Sequence, residues 1–449
     1  MRRLSIIGAL AAATLTLAGC SLDATSPNDP NETDVLKSRD GIAFLAVGLQ
    51  ARFADGMDDF VYPNGLVTDE LGATTLALPS YRDTQIGSLV PSYDPVELPW
   101  RTHYRTIRQA DELITATRAL PVDDVVLDTA TKNGVLAMSY LFKAMSYGDL
   151  LQQYEKIIID PENASAPFVD RATSLAYTNA LLDSAAAIYR AQPAGATFNN
   201  TIKARGFDLR NTIFAMQARY RRLAHDDAGA LAAADSVNQT VLSSMPFTYP
   251  QTRNPINNLS LGAGYVKPRD QFRLAADSAN ANDGRKAYFV TVAAPASFYP
   301  AYPLDEFNQY ANRSAPIPFY YPGEIALIRA EALTNLGRLP EAADAVNAVR
   351  TKCNAAPTGD PEACLPPLPL ASLATPAELL AEIYTQRRFE LFATGLRWED
   401  VRRLGQVGAG LSAQRCWLLY PDSERQTNPQ TPADPESPDA PSGPKSCGV

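Results

Sequence analysis

Residues Gln386 to Leu404 read Gln-Arg-Arg-Phe-Glu-Leu-Phe-Ala-Thr-Gly-Leu-Arg-Trp-Glu-Asp-Val-Arg-Arg-Leu, and no other stretch restricts the fold so tightly. Ile383, Tyr384, Leu391 and Phe392 fall at i, i+1, i+8 and i+9, so they share one face of a helix. Arg387 and Arg388, at i+4 and i+5, fall in the middle of that same face. A guanidinium placed among apolar neighbours needs carboxylate or carbonyl partners, and Glu390, Glu399 and Asp400 are the carboxylates nearest in sequence. The fold must therefore contain an internal framework of paired charges. Gly395 reads as the helix stop, since glycine takes the left-handed conformation of a C-terminal cap, and Trp398 opens the next segment as a large apolar anchor.

This run resembles the C-terminal signature of the SusD/RagB family, commonly "RRxELxxxGxRWxDLRR", with Phe389, Glu399, Val401 and Leu404 as ordinary variants. Other segments are similar to the family in the same order: Trp100-x3-Tyr104-x2-Ile107-x2-Ala110, Leu136 to Gly148-Asp149, and Tyr321-Pro322 through Leu336-Gly337. Tyr420-Pro421-Asp422-Ser423-Glu424 with Asn428-Pro429 resembles the family's closing segment. The resemblance spans roughly residues 20–430. The departure is Pro429–Val449, a proline-rich extension ending near Cys447.

At the amino terminus Arg2-Arg3 precede the apolar run Leu4–Leu17 and then Leu17-Ala18-Gly19-Cys20, a lipoprotein signal peptide with Cys20 as the lipidation site. The run is about 14 residues, short of the roughly 20 that a spanning helix needs. Residues 1–19 read as the signal, 20–34 as a flexible lipidated tether rich in Asn, Asp, Pro, Ser and Thr, 35–428 as a single large domain, and 429–449 as a tail. No long Gly/Ser or Pro linker divides the domain.

Helical periodicity dominates that domain. Ile325, Ile328, Ala332 and Leu336 form one stripe, Leu336-Gly337-Arg338 a turn, and Ala342, Ala345, Val346 and Val349 the facing stripe. Related pairs occur at Trp100–Thr117 with Asn133–Tyr147 and at Phe214–Ala224 with Ala228–Val237, with a further helix from Ser174 to Tyr189. Their spacing is irregular, unlike a regular solenoid. The expected fold is mainly α: tetratricopeptide-like helical hairpins packed against an irregular, loop-rich half with few short strands.

Besides the lipidated Cys20 four cysteines remain, Cys353, Cys364, Cys416 and Cys447, and an even count in an exported chain favours disulfides. Three connectivities are open, and nearest-neighbour closure gives Cys353–Cys364 and Cys416–Cys447. With no CxxC and two isolated histidines, His103 and His225, metal coordination is not expected and no cofactor is called for. A net charge of −9 argues against nucleic acid and against an anionic membrane surface. The membrane is met through the N-terminal lipid alone. No GxSxG, HExxH, Walker A or dinucleotide-binding glycine pattern is present, so the chain is not expected to be an enzyme.

What the resemblance implies is a nutrient-binding outer-membrane lipoprotein, facing the cell surface, that captures an oligosaccharide and delivers it to a SusC-like TonB-dependent barrel. The alternatives are a peptide-capturing RagB-like subunit, a helical-repeat scaffold of the envelope and a glycan-cleaving enzyme whose paired carboxylates only a structure reveals. Sugar binding needs aromatic faces and planar polar groups. Residues 286–321 hold ten aromatics where the 9% average supplies about three, and Tyr288-Phe289-Val290 reads as a strand while Tyr320-Tyr321 start a helix. Phe298, Tyr299 and Tyr302, in the Pro-containing loop, are therefore the ligand candidates there. A second group, Asp69, Tyr81, Arg82 and Tyr93, lies where family members carry an Asp-Glu-like motif followed by a variable loop; Asp69 is alternatively a cap for the following turn.

Overall fold

Aspartate begins many of the helices. Asp128, Asp170, Asp208 and Asp226 each accept a hydrogen bond from the backbone N–H three residues on, at 2.7–2.9 Å, each stabilising its helix by about 1 kcal/mol. The computed structural model describes residues 36–122, 127–269, 282–291, 303–354, 357–407, 415–435 and 447. Cys20 and the tether, Phe298, Tyr299, Tyr302 and most of the tail lie outside the described residues.

Helices α1 (Arg39–Asp55) and α2 (Met57–Val67) lead into strand β1 (Leu71–Ala73) and the short α3 (Pro79–Gln85). Then follow α4 (Asp94–Ala119), α5 (Thr129–Gln153), α6 (Arg171–Ala191), α7 (Leu209–Leu223) and α8 (Asp227–Asp235). The middle of the chain is irregular, with β2 (Ser244–Met245), β3 (Val266–Pro268), α9 (Arg285–Phe289), β4 (Val290–Thr291), β5 (Glu306–Phe307) and β6 (Ile317–Pro318). Helices α10 (Pro322–Asn335), α11 (Leu339–Thr351), α12 (Pro376–Glu390), α13 (Arg397–Arg403) and α14 (Asp422–Thr427) complete it.

The expected hairpins are α4/α5, α7/α8 and α10/α11, and the expected helix at 174–189 lies within α6. Each helix from α4 to α8 packs on the next, α10 packs on α8, and α12 closes on both α10 and α11. In α4 the buried residues Trp100, His103, Ile107, Ala110, Leu113, Ile114 and Thr117 recur at helical spacing. The helix ends at Leu120 because Pro121 forces the preceding residue out of helical geometry. Helix α5 is buried nearly all round and forms the centre of the core. Its Gly148 admits the Tyr220 ring, whose hydroxyl would lie 2.1 Å from any Cβ there. Alanines 330, 332, 342 and 345 let α10 and α11 approach closely around a smaller cluster shared with α12.

The arginine run behaves as its helical placement requires. Arg387 Nε lies 2.7 Å from Asp400, which also receives Arg222 at 3.2 Å. Arg222 in turn reaches Glu331 at 3.0 Å, and Arg403 pairs with the same carboxylate. Glu399 joins Arg171 at 2.6 Å and Arg402 at 2.7 Å, while Glu390 takes Arg285 at 3.1 Å and Lys352 at 2.6 Å. Trp398 is fully buried and its indole N–H donates to the Arg415 carbonyl at 2.7 Å. Burial alone raises Glu399 and Asp400, but the surrounding guanidiniums overcome it and hold both at about 2. The framework thus ties α7, α10, α12 and α13 together, with Arg171 bringing in the start of α6.

Four local expectations need correction. Arg387 is buried but Arg388 is only partly so, because the two diverge by about 100° around the helix. Helix α12 stops at Glu390, not at Gly395; Gly395 (φ 84°) sits in the following turn, where its backbone lies against Phe60 and a Cβ would come 2.8 Å from that ring. Leu336 is exposed, since α10 has already ended at Asn335. Tyr288 and Phe289 close α9, and the strand starts only at Val290.

Candidate functional site

The chain leaves α2 through Thr68 and enters β1 through Asp69, which holds the left-handed conformation (φ 58°). Asp69 is buried and its carboxylate accepts from Arg269, 200 residues away in sequence. Burial pushes Asp69 up to about 6 even with the Arg269 guanidinium and the Gln85 amide opposing it. Glu70 is more deeply enclosed. Its carboxylate accepts from the Ala393 N–H at 3.3 Å, and burial raises it to about 7 against the pull of Arg397. Asp69 and Glu70 are thus spent on joining β1 to β3 and to the turn after α12. Asp69 is a framework residue here and does not cap a helix.

Gln85 ties α3 to the same point, accepting from the Ala73 N–H at 2.8 Å. One turn earlier Tyr81 is buried with its ring 6.0 Å from Tyr265, and burial raises its phenol far above the ordinary value. Arg82 is half-buried on the other side of α3. Tyr93 is half-buried and its hydroxyl donates to Asp83 at 2.7 Å. Of the four residues nominated in this segment, Arg82 and Tyr93 reach solvent, whereas Asp69 and Tyr81 support them from beneath.

The second nominated group lies outside the described residues, but both of its flanks are held in strands. Thr291 pairs with Glu306 across β4 and β5, Leu304 bridges Arg269, and the Asp305 N–H donates to the Pro268 carbonyl at 2.8 Å. Arg269 is the partner of Asp69. The flank of the aromatic-rich stretch and the base of the 69–93 segment therefore meet at one ion pair.

Around this point the surface carries apolar side chains that periodicity did not bring out. Leu76 is 68% exposed, and Leu78, Ile86, Val90 and Leu261 are exposed as well. The available sequence clue was Leu76-Ala77-Leu78, apolar residues set between Thr74-Thr75 and Pro79 with no helical or strand period to bury them. Thr74 fixes the loop, its hydroxyl donating to the Gly264 carbonyl at 2.6 Å and accepting from the Leu76 N–H at 3.1 Å. The segment thus carries exposed apolar side chains together with the half-buried Arg82 and the Tyr93–Asp83 pair, groups suited to an apolar or ring-shaped ligand face with a few directed hydrogen bonds.

Two other clusters of titratable groups are closed to ligands. Cys353, Glu362 and Cys364 lie together, but the two sulfurs are joined as a disulfide, so no thiolate is free to ligate. Cys416 and Cys447 form the second disulfide. His103 is buried, and burial lowers it to about 3 although Asp149 stands 3.8 Å away; Asp149 is itself raised to about 8 by burial, with only Arg219 opposing. That pair is neutral and enclosed. No helix among the described residues is long and apolar enough to cross a membrane.

The sequence profile of the SusD family matches residues 273–433, which include the arginine run. Among curated proteins none matches the sequence. A SusD superfamily protein from Bacteroides thetaiotaomicron superposes with a TM-score of 0.69 at 14% identity, over 89% of this chain and 100% of that one. A laminarin-binding SusD-like protein superposes with a TM-score of 0.65 at 15% identity, over 91% and 100%. NanU of Bacteroides fragilis gives 0.64 at 15% identity, over 90% and 98%. The mainly helical fold expected from the sequence is thus the fold of SusD superfamily proteins.

Proposed function

We infer that this SusD-like chain captures a saccharide and passes it on unaltered. The observation that carries this reading is the convergence, at the Asp69–Arg269 pair, of the base of the 69–93 segment and the strands within the aromatic-rich 286–321 region. A pinned scaffold at the base of the 74–93 segment fits a binding protein, and one structural neighbour is described as laminarin-binding. Among the buried carboxylates, Asp69 is committed to Arg269 and Glu399 to Arg171 and Arg402.

In this reading Cys20 anchors the protein by lipid to the outer membrane with its bulk at the cell surface, and a TonB-dependent barrel receives the ligand. The lipobox sequence Leu17-Ala18-Gly19-Cys20 supports the anchor, and the exposed Leu76, Leu78, Ile86 and Val90 offer apolar area for a partner's rim. The test is a glycan array with the mature chain, followed by titration of Arg82→Ala. Retention of a defined glycan, weakened about tenfold by the substitution, is expected. A flat array together with no barrel co-purifying from membranes would reject the reading.

A further inference from the structure

A groove of about 440 Å³ runs along the outer side of α4, between the loop Ile158–Ala164 and α14. None of its lining residues belongs to the 74–93 segment. Its floor is aromatic and rigid. The Tyr104 hydroxyl donates to the Ile158 carbonyl at 2.9 Å and accepts from the Ile158 N–H at 2.7 Å. Trp100 lies beside it with ring centroids 4.7 Å apart, stacks on Phe168 at 5.7 Å, and donates its indole N–H to Glu424 at 3.1 Å. Neither ring is free to turn, so an apolar ring face meets a platform already in place.

The rim is charged in an uneven way. Arg101, Arg105 and Arg108 stand one helical turn apart along α4 and all line the groove. Arg108 is paired with Glu112, and Asp111 with Lys143 at 2.6 Å. Glu424 is engaged by Trp100. Among the described residues Arg101 and Arg105 make no ion pair, although Arg101 stands close enough to Asp59 to stabilise that carboxylate's charge. Two guanidiniums at i and i+4 are about 5–6 Å apart at their Cβ atoms, a spacing one carboxylate can bridge with charge-assisted hydrogen bonds. Across the groove, the exposed Glu162 and Asn163 and the hydroxyl-bearing Thr427 face the same space, with acceptors and donors suited to sugar hydroxyls.

We propose that this groove is a second saccharide site, selective for a sugar ring that carries a carboxylate. It rests on the reading of the protein as a saccharide binder, and adds a ligand class and a location. The carboxylate lies between Arg101 and Arg105, and the ring face lies over the half-buried Tyr104, which the buried Trp100 supports from beneath.

The experiment is calorimetric titration of the mature full chain with digalacturonate and with its carboxyl-reduced, neutral counterpart. Digalacturonate is expected to bind, and the neutral disaccharide to bind at least about tenfold more weakly. Arg101→Gln and Arg105→Gln, both at exposed positions, should each lower the affinity for the acid about tenfold and leave the melting temperature unchanged. The affinity should also fall as salt rises. Equal binding of the two disaccharides, undiminished binding by the Arg101 and Arg105 variants, or no heat with digalacturonate would overturn the proposal. Retention of neutral glycans on the array in that last case would leave the general capture function standing and remove only the acidic site.

Discussion

Replacing Asp400 by Asn keeps the side chain's volume and removes one negative charge from the middle of the framework. Asp400 receives Arg387 at 2.7 Å, Arg222 at 3.2 Å and Arg403 at 3.8 Å, and it is almost fully enclosed. Arg387 has no second carboxylate at hydrogen-bonding distance among the described residues, so the substitution leaves its buried guanidinium uncompensated. Losing one partner of a buried pair costs about 3–5 kcal/mol. With an unfolding entropy of about 2.1 cal/mol/K per residue, about 365 described residues give about 0.8 kcal/mol/K, so the melting temperature should fall by about 4–6 °C. Circular dichroism melts from pH 8 to pH 3 add a second constraint. Because its partners hold Asp400 at about 2, below its unfolded value near 4, its contribution is full above about pH 4 and is lost as pH falls toward 2. The gap between wild type and variant should therefore be constant from pH 8 to 5 and shrink below 4. A variant melting within about 1 °C of wild type, yet unable to bind saccharide, would show that the arginine run is a binding patch and not a framework.

Other perturbations read the same structure. Trp398→Ala removes a fully buried indole and should cost about 3–5 kcal/mol in urea unfolding, with the glycan profile of the surviving folded fraction unchanged. Asp149 is raised to about 8 when folded, so its protonated form favours the native state fully below its unfolded value near 4 and progressively less as pH rises toward 8; Asp149→Asn should flatten the fall in stability across that window in a pH series of melts. Reducing Cys416–Cys447, which closes a separation of 31 residues, should expose the segment after residue 435 to limited proteolysis while the helical core stays intact, as mass spectrometry of the fragments would report.

The helical half was legible because its apolar residues recur at helical spacing: Trp100–Thr117 and Leu339–Thr351 bury one face, α10 is buried nearly all round, and the small residues that mark helix contacts are visible as alanines. The internal charge framework was legible for the same reason, since Arg387 sits between Ile383 and Leu391 on one helical face. Its partners were only partly so. Glu399 and Asp400 stand nearby in sequence, but Arg171, Arg222, Arg285 and Glu331 come from distant helices, and no local pattern predicts which of them meets which. The end of α12 was misplaced because Gly395 looked like a cap, while the close approach to Phe60 that requires it is tertiary.

The candidate site was less legible. Asp69 and Tyr81 have the residue types of a binding site, but the antiparallel pairing of β1 with β3 brings Arg269 onto Asp69 and packs Tyr265 against Tyr81. Burial and pairing over such sequence distances leave no trace in spacing. The exposed Leu76, Leu78, Ile86 and Val90 were passed over for the opposite reason: apolar residues in so short a stretch carry no period, and only the structure shows them exposed among the described residues. The arginine row of α4 lies within a helix read for its hairpin and for the motif that Trp100 and Tyr104 carry, in which Arg101 and Arg105 did not stand out.

Affinity electrophoresis of the mature chain through gels containing single polysaccharides, with the recovered polysaccharide sized afterwards, tests the central claim most directly. Capture without chemistry predicts retarded migration in at least one polysaccharide, lost or weakened in Arg82→Ala, with the polysaccharide's chain length unchanged. Unretarded migration in every gel, or retardation accompanied by shortened chains, would contradict it.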